Sequence, residues 1–392
     1  MKKILPLLLV ALICAGLIAG CDSGSKAQLS VWCSELDKEI IESMVAAFME
    51  TKPSIKGVNV VVCEDDSARQ KFEDDPKAAA DVICIPHDQL GALVEGGGIL
   101  EITGSGHLGA IDMNTAPSVK AGQFRGKQYG FPSSFETHML FYDKSLIPES
   151  SVHTLEGITS IAVPEGGYTF AMEMGNAYFS ANWFFTYGCM LFGESGEDAA
   201  FCDFNSAEGV AAMTYLIENR DKLGNCNSDE AADLFSQHKL GAYVGGPWDA
   251  EKMTAVLKGN YGCTRLPGVG GKPMRSFAGF KLYCVNANTK NKDVAMDLAA
   301  WLSNPDNQKV RFLNRNLSPV AKSLEGDADV EVSTTVRAVV AQGPHSIAMP
   351  SIPQMSNFWT PTGGFTAACY NGDISTADLG GRLNELVAEI LS

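Results

Sequence analysis

From residue 29 onward the chain alternates short apolar runs with longer amphipathic stretches. Leu29-Ser30-Val31-Trp32 has the composition of a strand, and Ser34-Glu35-Leu36-Asp37 offers a capping box after it. Ile40, Ile41, Met44, Val45 and Phe48 follow at helical spacing until Pro53 closes the element. Residues 58–63 and 81–85 read as further strands with a polar helical stretch between them. Residues 89–95 read as a helix stopped by Gly96-Gly97-Gly98. Phe131-Pro132-Ser133-Ser134 interrupts the order, and 138–142 starts a new strand, which places a domain crossing there. The second half repeats the alternation: strand 169–172, an apolar helix over 177–192, an amphipathic helix over 206–219. Strand 242–244 then leads through Gly245-Gly246-Pro247-Trp248 into a helix ending at Leu257. Strand 282–285, helices over 292–303 and 305–313, and a final helix carrying Leu379, Leu383, Leu386, Val387 and Ile390 on one face complete the pattern. Strands alternating with helices predict an α/β fold built on mostly parallel sheets flanked by helices.

The first residues carry an address. Lys2 and Lys3 precede an apolar run over 4–13, and small residues lead to Leu17-Ile18-Ala19-Gly20-Cys21. A bilayer span needs about 20 apolar residues, so this shorter run reads as an export signal over 1–20. Its ending resembles a bacterial lipobox, after which Cys21 becomes the lipidated N-terminus and 21–26 a short polar tether. The expectation is attachment to the extracytoplasmic face of the cell membrane through lipid on Cys21.

At 45% hydrophobic and 19% charged residues the whole chain is ordinary globular material, and the part after the signal has length for two domains of about 150 residues each. Net charge is -16 and becomes -18 without Lys2 and Lys3, because residues 1–20 hold no acid. So acidic a surface repels nucleic acid and disfavours it as a partner. Of the 11 cysteines, Cys14 leaves with the signal and Cys21 takes lipid. The odd number that remains cannot all pair within the chain. No Cys-x-x-Cys and no His pair at i, i+4 is present, so neither a metal site nor a cofactor is expected. Cys63, Cys84, Cys202, Cys263 and Cys284 sit among apolar neighbours, where a thiol behaves as a small core residue. Reduced thiols in an exported protein point to an anaerobic producer. Gly104-Ser105-Gly106-His107-Leu108-Gly109 fits Gly-x-Gly-x-x-Gly, but Asp112 to Pro117 after it is no helix opening, which argues against dinucleotide binding.

Several segments stand in a telling order. They are Leu29-Ser30-Val31-Trp32, Asp81-Val82-Ile83-Cys84-Ile85-Pro86-His87-Asp88, Gly126-Lys127-Gln128-Tyr129-Gly130-Phe131-Pro132, Phe141-Tyr142-Asp143-Lys144 and Gly246-Pro247-Trp248. Asn260-Tyr261-Gly262 and Met349-Pro350-Ser351-Ile352-Pro353-Gln354-Met355-Ser356-Asn357-Phe358-Trp359 complete the set. Together they resemble the extracellular solute-binding proteins of the maltodextrin-binding family, from about Leu29 to the C-terminus. The resemblance implies two lobes of the periplasmic-binding-protein kind with a ligand cleft between them. On that pattern one lobe is 27–134 plus 283–328 and the other 139–276 plus 335–392. It further implies a monomeric receptor that captures maltose, maltodextrin or a related oligosaccharide by lobe closure and delivers it to an ABC permease, with no covalent chemistry.

A sugar presents apolar C–H faces and a rim of hydroxyls, so its receptor needs flat rings and charged or amide hydrogen-bonding groups. Trp359 reads as lying in a Pro-rich loop, and the resemblance places it and Trp248 as stacking platforms, with Tyr178 and Phe179 beside them. It makes Asp88 and Glu136 acceptors for hydroxyls, adds Asp37 and Lys38 if one residue is inserted after Trp32, and puts Met349 on the cleft floor. Trp183 and Trp301 lie inside predicted helices and read as core, and His87 as structural. Departures bear on which sugar is bound. Ile85 stands where the family's maltose binders carry a further tryptophan, Gln89 where an arginine follows the acid, and Asn176 where an acid precedes the aromatic pair. Thr360 and Gly363 replace a tyrosine and an arginine after the last tryptophan. Two alternatives stay open. One is a glycoside hydrolase using Glu136 and Asp88; the other is a receptor for a non-sugar solute, although no adjacent Tyr-Tyr pair or Arg cluster supports iron or phosphate.

Overall fold

The computed structural model describes residues 27–162 and 165–392. The signal, Cys21 and the tether lie outside the described residues. Two mixed sheets organise the chain. The first holds β1 (Ala27–Cys33), β2 (Ile55–Val62), β3 (Val82–Pro86), β6 (Gly130–Thr137), β14 (Ser276–Val285) and β15 (Ser346–Ala348), with the order β15-β14-β3-β1-β2 and β6 added beside β14. A short hairpin of β4 (Gln123–Phe124) and β5 (Lys127–Gln128) precedes β6 (Gly130–Thr137). The second sheet holds β7 (Met139–Asp143), β8 (Tyr168–Met172), β9 (Gly224–Asn225), β10 (Leu240–Gly245) and β11 (Tyr261–Thr264), ordered β11-β7-β10-β8-β9. After a small hairpin of β12 (Gly268–Val269) and β13 (Lys272–Pro273), β14 (Ser276–Val285) and β15 (Ser346–Ala348) return to the first sheet.

The sheets are α/β as predicted, with parallel cores and antiparallel additions. β1 runs parallel to β2 and β3, and β8 parallel to β10. β14 is antiparallel to both β3 and β6, and β7 is antiparallel to β10 and β11. Alternating apolar runs become strands because each sheet is packed on both faces. Leu29, Val31 and Tyr283 face one core of the first sheet, while Ile83, Ile85 and Leu282 face another. The second sheet likewise separates a large core around Phe170 and Trp183 from a smaller one around Phe141 and Tyr243.

Four local expectations change. Ser34 makes no capping hydrogen bond; a 3-10 turn, Glu35–Asp37, leads into the helix Lys38–Thr51. The box fails because the Asp37 carboxylate is bonded to Arg315 at 2.8 Å. A full capping box forms at Asn227 and Glu230 instead. Phe131-Pro132-Ser133-Ser134 does not break the chain but runs inside β6, where Pro132 pairs opposite Leu282 beside a bulge that leaves Ser133 of β6 without a partner in the register. The apolar stretch 177–192 divides into two short helices, Ala177–Ser180 and Asn182–Tyr187, closed by Gly188 at φ 106°. Trp359, expected in a loop, opens the helix Trp359–Asn371.

Trp183 is fully buried, and Trp301 packs against Phe48 with its indole N–H donating to Met44 O at 2.9 Å, so both are core residues as read. All nine cysteines among the described residues carry free thiols, and only Cys263 is not fully buried. No group of three or more His, Cys, Asp or Glu among the described residues could hold a metal ion.

Candidate functional site

The cleft forms where the carboxyl ends of parallel strands from both sheets face one another, the place where open α/β sheets bind ligands. Asp37 follows β1, Asp65 and Asp66 follow β2, and Asp88 follows β3. Across the gap, Glu173, Asn176 and Tyr178 follow β8, and Trp248 follows β10. Two cavities share this space. A chamber of about 540 Å³ holds the aromatic residues, and a neighbouring one of about 290 Å³ is walled by charged groups. Asp66, Glu136, Trp248 and Lys281 line both, so the two chambers adjoin at these four residues.

The aromatic chamber is built around Tyr178. Its ring lies 6.0 Å from Trp248 and 6.4 Å from Trp359, with Phe277 stacked at 6.2 Å and His138 edge-on at 4.4 Å. Phe179 also lines the chamber and packs 4.8 Å from His138. Trp248 and Trp359 stay partly exposed, as platforms must be. Gly246 is required here, because a Cβ at that position would fall 2.2 Å from the Trp248 ring. The Gly-Gly-Pro-Trp sequence is therefore a device for bringing an indole back over its own backbone.

The polar groups divide by lobe. Glu136 on β6 is buried and sits opposite Gly279 of β14 in the antiparallel register. A Cβ at Gly279 would come within 3.3 Å of the Glu136 side chain and 3.2 Å of Met349, so the bare glycine leaves room for both. Two residues along β14, Lys281 forms an ion pair with Asp65 at 2.6 Å and approaches Glu136 at 3.5 Å. Burial raises the Glu136 carboxyl while Lys281 pulls it down. Burial opposes the charge on Lys281, yet Asp65 and Glu136 outweigh it and hold the ammonium well above its usual range.

Asp88 lies in the 3-10 turn His87–Gln89, caps no helix, and lines the aromatic chamber. Burial pushes its carboxyl up to about 6. Its neighbours are fully committed. His87 contacts Met349 O through Nε2 at 3.0 Å and accepts from Phe280 N through Nδ1 at 3.2 Å, which fixes it as a neutral structural residue. Gln89 donates to Asp65 O and Asp66 O at 3.0 and 3.3 Å, holding the loop after β2 against the cleft. Asn176 caps the helix Ala177–Ser180 by accepting from Tyr178 N at 3.1 Å, and donates to Glu173 at 3.2 Å.

The structure thus brings Trp248, Trp359, Tyr178, Phe179, Glu136, Asp88, Asn176 and Met349 to one chamber. Asp37 joins the charged chamber with its carboxylate held by Arg315; burial raises it against Arg311 and Arg315. Lys38 opens the helix Lys38–Thr51 and lines neither chamber. Lys281, Asp65, Glu173 and Arg311 escaped the sequence reading. Glu173 supplies, three positions earlier, the acid that Asn176 lacks. The other three carry no local motif: Lys281 sits within the apolar strand β14, Asp65 follows β2, and Arg311 lies inside the helix Pro305–Arg315.

Comparison with known proteins identifies the family and the fold. The bacterial extracellular solute-binding protein family matches residues 43–338. This chain belongs to that family. Among relatives of this solute-binding protein, a galactooligosaccharide-binding protein of Bacillus subtilis is 30% identical, over 86% of this chain and 83% of the relative. A maltooligosaccharide ABC transporter solute-binding lipoprotein of Streptococcus pneumoniae is 27% identical, over 87% and 84%. In fold, the solute-binding protein is similar to a maltodextrin-binding protein of L. casei, with a TM-score of 0.83 and 24% identity over 94% of this chain and 99% of that one. It is similar also to MalX of Streptococcus pneumoniae in complex with maltopentaose, with a TM-score of 0.82 and 22% identity over 92% and 99%.

Proposed function

We propose that this protein is the extracytoplasmic receptor of an ABC importer for a neutral oligosaccharide, maltodextrin or a related sugar, bound between the two lobes. The carrying observation is the aromatic chamber: Trp248, Tyr178 and Trp359 offer ring faces while Asp88, Glu136 and Glu173 offer acceptors. Ring faces match apolar sugar faces, and ionised acceptors make the stronger hydrogen bonds to hydroxyls. Relatives named for galactooligosaccharide and maltooligosaccharide support the same class. Ile85, Gln89 and Gly363 shift the choice among sugars away from that of the family's maltose binders.

Binding proceeds by capture. Sugar settles on one lobe and the other closes over it, since only the closed state makes contacts from both sides. The closed, monomeric receptor is then read by the permease. Lipid on Cys21 keeps it near that partner and raises its effective concentration there. Replacing Cys21 with Ser releases the protein into the soluble fraction; retention on membranes would refute the anchor.

A thermal-shift screen of residues 22–392 against maltose, maltotriose, longer α-glucans, galactooligosaccharides and non-sugar solutes tests the reading. A ligand at 100 times its Kd adds about 2.7 kcal/mol to the folded state. A rise with one sugar series identifies the cargo. A rise with non-sugar solutes alone, or steady consumption of a sugar during the assay, would overturn the receptor reading.

A further inference from the structure

Oligosaccharides present two kinds of oxygen. Hydroxyls donate and accept, whereas ring and bridging oxygens only accept. Carboxylates can satisfy only the first kind. The aromatic chamber is lined by several carboxylates, among them Asp66, Asp88, Glu136 and Glu173, and by a single cation, Lys281. The neutral amides nearby are engaged: Gln89 with Asp65 O and Asp66 O, and Asn176 with Glu173. Lys281 also lines the charged chamber, together with Glu136 and Trp248. It therefore stands on the wall that the two chambers share, at the neck where they adjoin.

The ammonium is placed, not loose. It is a part-buried side chain on β14, fixed by Asp65 at 2.6 Å and Glu136 at 3.5 Å. Asp65 is fixed in turn by Gln89, which holds its carbonyl. An ammonium has three donors, and the Asp65 and Glu136 carboxylates can engage at most two of them. The third is free for a ligand. Burial strengthens such a charge-assisted bond, because water competes less for it.

Building on the proposed sugar-receptor function, we infer that Lys281 is a specificity-determining residue, donating to an acceptor-only oxygen of the sugar unit that joins the two chambers. Its consequence is selection for length and linkage. A monosaccharide confined to the aromatic chamber does not need the neck contact, while a trisaccharide spanning both chambers does. The Asp65 and Glu136 carboxylates orient the ammonium, so they are positioning groups for it as well as acceptors.

The test measures binding of glucose, maltotriose, galactose and β-1,4-linked galactotriose to the wild-type protein and to Lys281→Met and Lys281→Arg. For whichever trisaccharide binds the wild type, Lys281→Met weakens binding roughly tenfold to hundredfold, as loss of a hydrogen bond to a charged group predicts. The corresponding monosaccharide changes less than about threefold, and Lys281→Arg restores much of the trisaccharide affinity. Equal loss for both sugar lengths, with a lowered melting temperature, would mean that Lys281 acts only on the fold and would overturn the inference. So would unchanged trisaccharide affinity in Lys281→Met. Failure of the wild-type protein to bind any of the four sugars would instead strike at the receptor reading itself.

Discussion

The hydroxyls of Thr137 and Ser346 meet at 2.9 Å where the chain passes between the two sheets. Thr137 ends β6, one residue before the crossing to β7, and Ser346 begins β15. Ser276, the first residue of β14, joins them at 2.9 Å from Thr137, and Thr137 donates to Phe277 O at 2.7 Å. Gln342 closes the knot by donating to Ser276 at 3.0 Å. Three separate passages between the lobes are thus tied by one set of buried hydroxyls. Thr137→Val keeps the shape but leaves these partners unsatisfied. It is expected to cost about 1–3 kcal/mol of unfolding free energy in urea, with an unchanged m-value. Wild-type stability in this variant would show that the knot contributes nothing to the junction.

The two platform tryptophans carry a separate expectation. Trp248→Ala and Trp359→Ala should each weaken sugar binding by on the order of 1–3 kcal/mol, from the apolar area no longer covered. Both rings are partly exposed without ligand, so the fold loses less than affinity does. Trp183→Ala behaves in the opposite way. That indole is fully buried, and its removal costs about 3–5 kcal/mol of stability. Calorimetric titration beside thermal melts separates the two classes, and intact affinity in both platform variants would remove the aromatic chamber from the binding site.

Much of this was legible in the sequence because periodicity reports burial. Val82, Ile83 and Ile85 are apolar for the reason that β3 is covered on both faces, and Ile41, Met44, Val45 and Phe48 fall on one face of their helix because only that face is packed. The stacking residues were legible only through the family resemblance, since nothing local distinguishes Trp248 from a core tryptophan. Lys281 was not legible at all. A lysine inside a strand ordinarily faces water; its partners Asp65 and Glu136 are distant in sequence and adjacent only after β14 inserts antiparallel between β3 and β6. The failed capping box at Ser34 has the same origin. The local pattern favoured a cap, and a long-range ion pair between Asp37 and Arg315 took the acid away.

Thiol chemistry gives a quantitative check on the interior. With all nine described cysteines unpaired, chemically unfolded protein spanning 22–392 should release nine thiol equivalents without prior reduction. The native protein should react slowly. Burial pushes the Cys33, Cys189, Cys202, Cys226 and Cys369 thiols up to about 12, which leaves almost no thiolate at neutral pH. Cys263, partly accessible, is the expected first site of modification. A count near one in the unfolded protein would reveal disulfides absent from this structure.

Acidity should separate binding from folding at Asp88. Its carboxyl is raised to about 6 in the fold against an ordinary value of 3.8. Between those values the folded chain holds a proton that the unfolded chain has lost, so this group makes stability fall as pH rises from about 4 to 6. His87 and His138 act the other way. Their neutral forms are favoured, with values lowered to about 4 and about 3, so stability also falls as pH drops below 6.5. These effects overlap in a melt but not in a titration with ligand. A sugar hydroxyl donating to Asp88 needs the ionised carboxylate, so affinity should climb with pH through about 6 and level off above it. Asp88→Asn should bind more weakly at pH 7 and lose most of that climb, while its stability at pH 7 rises because no partly desolvated charge remains at the position. Calorimetric titrations from pH 4.5 to 7.5 on both proteins decide the matter: an identical pH slope in Asp88→Asn would assign the titration to another carboxylate, with Glu136, also raised by burial, as the next to replace.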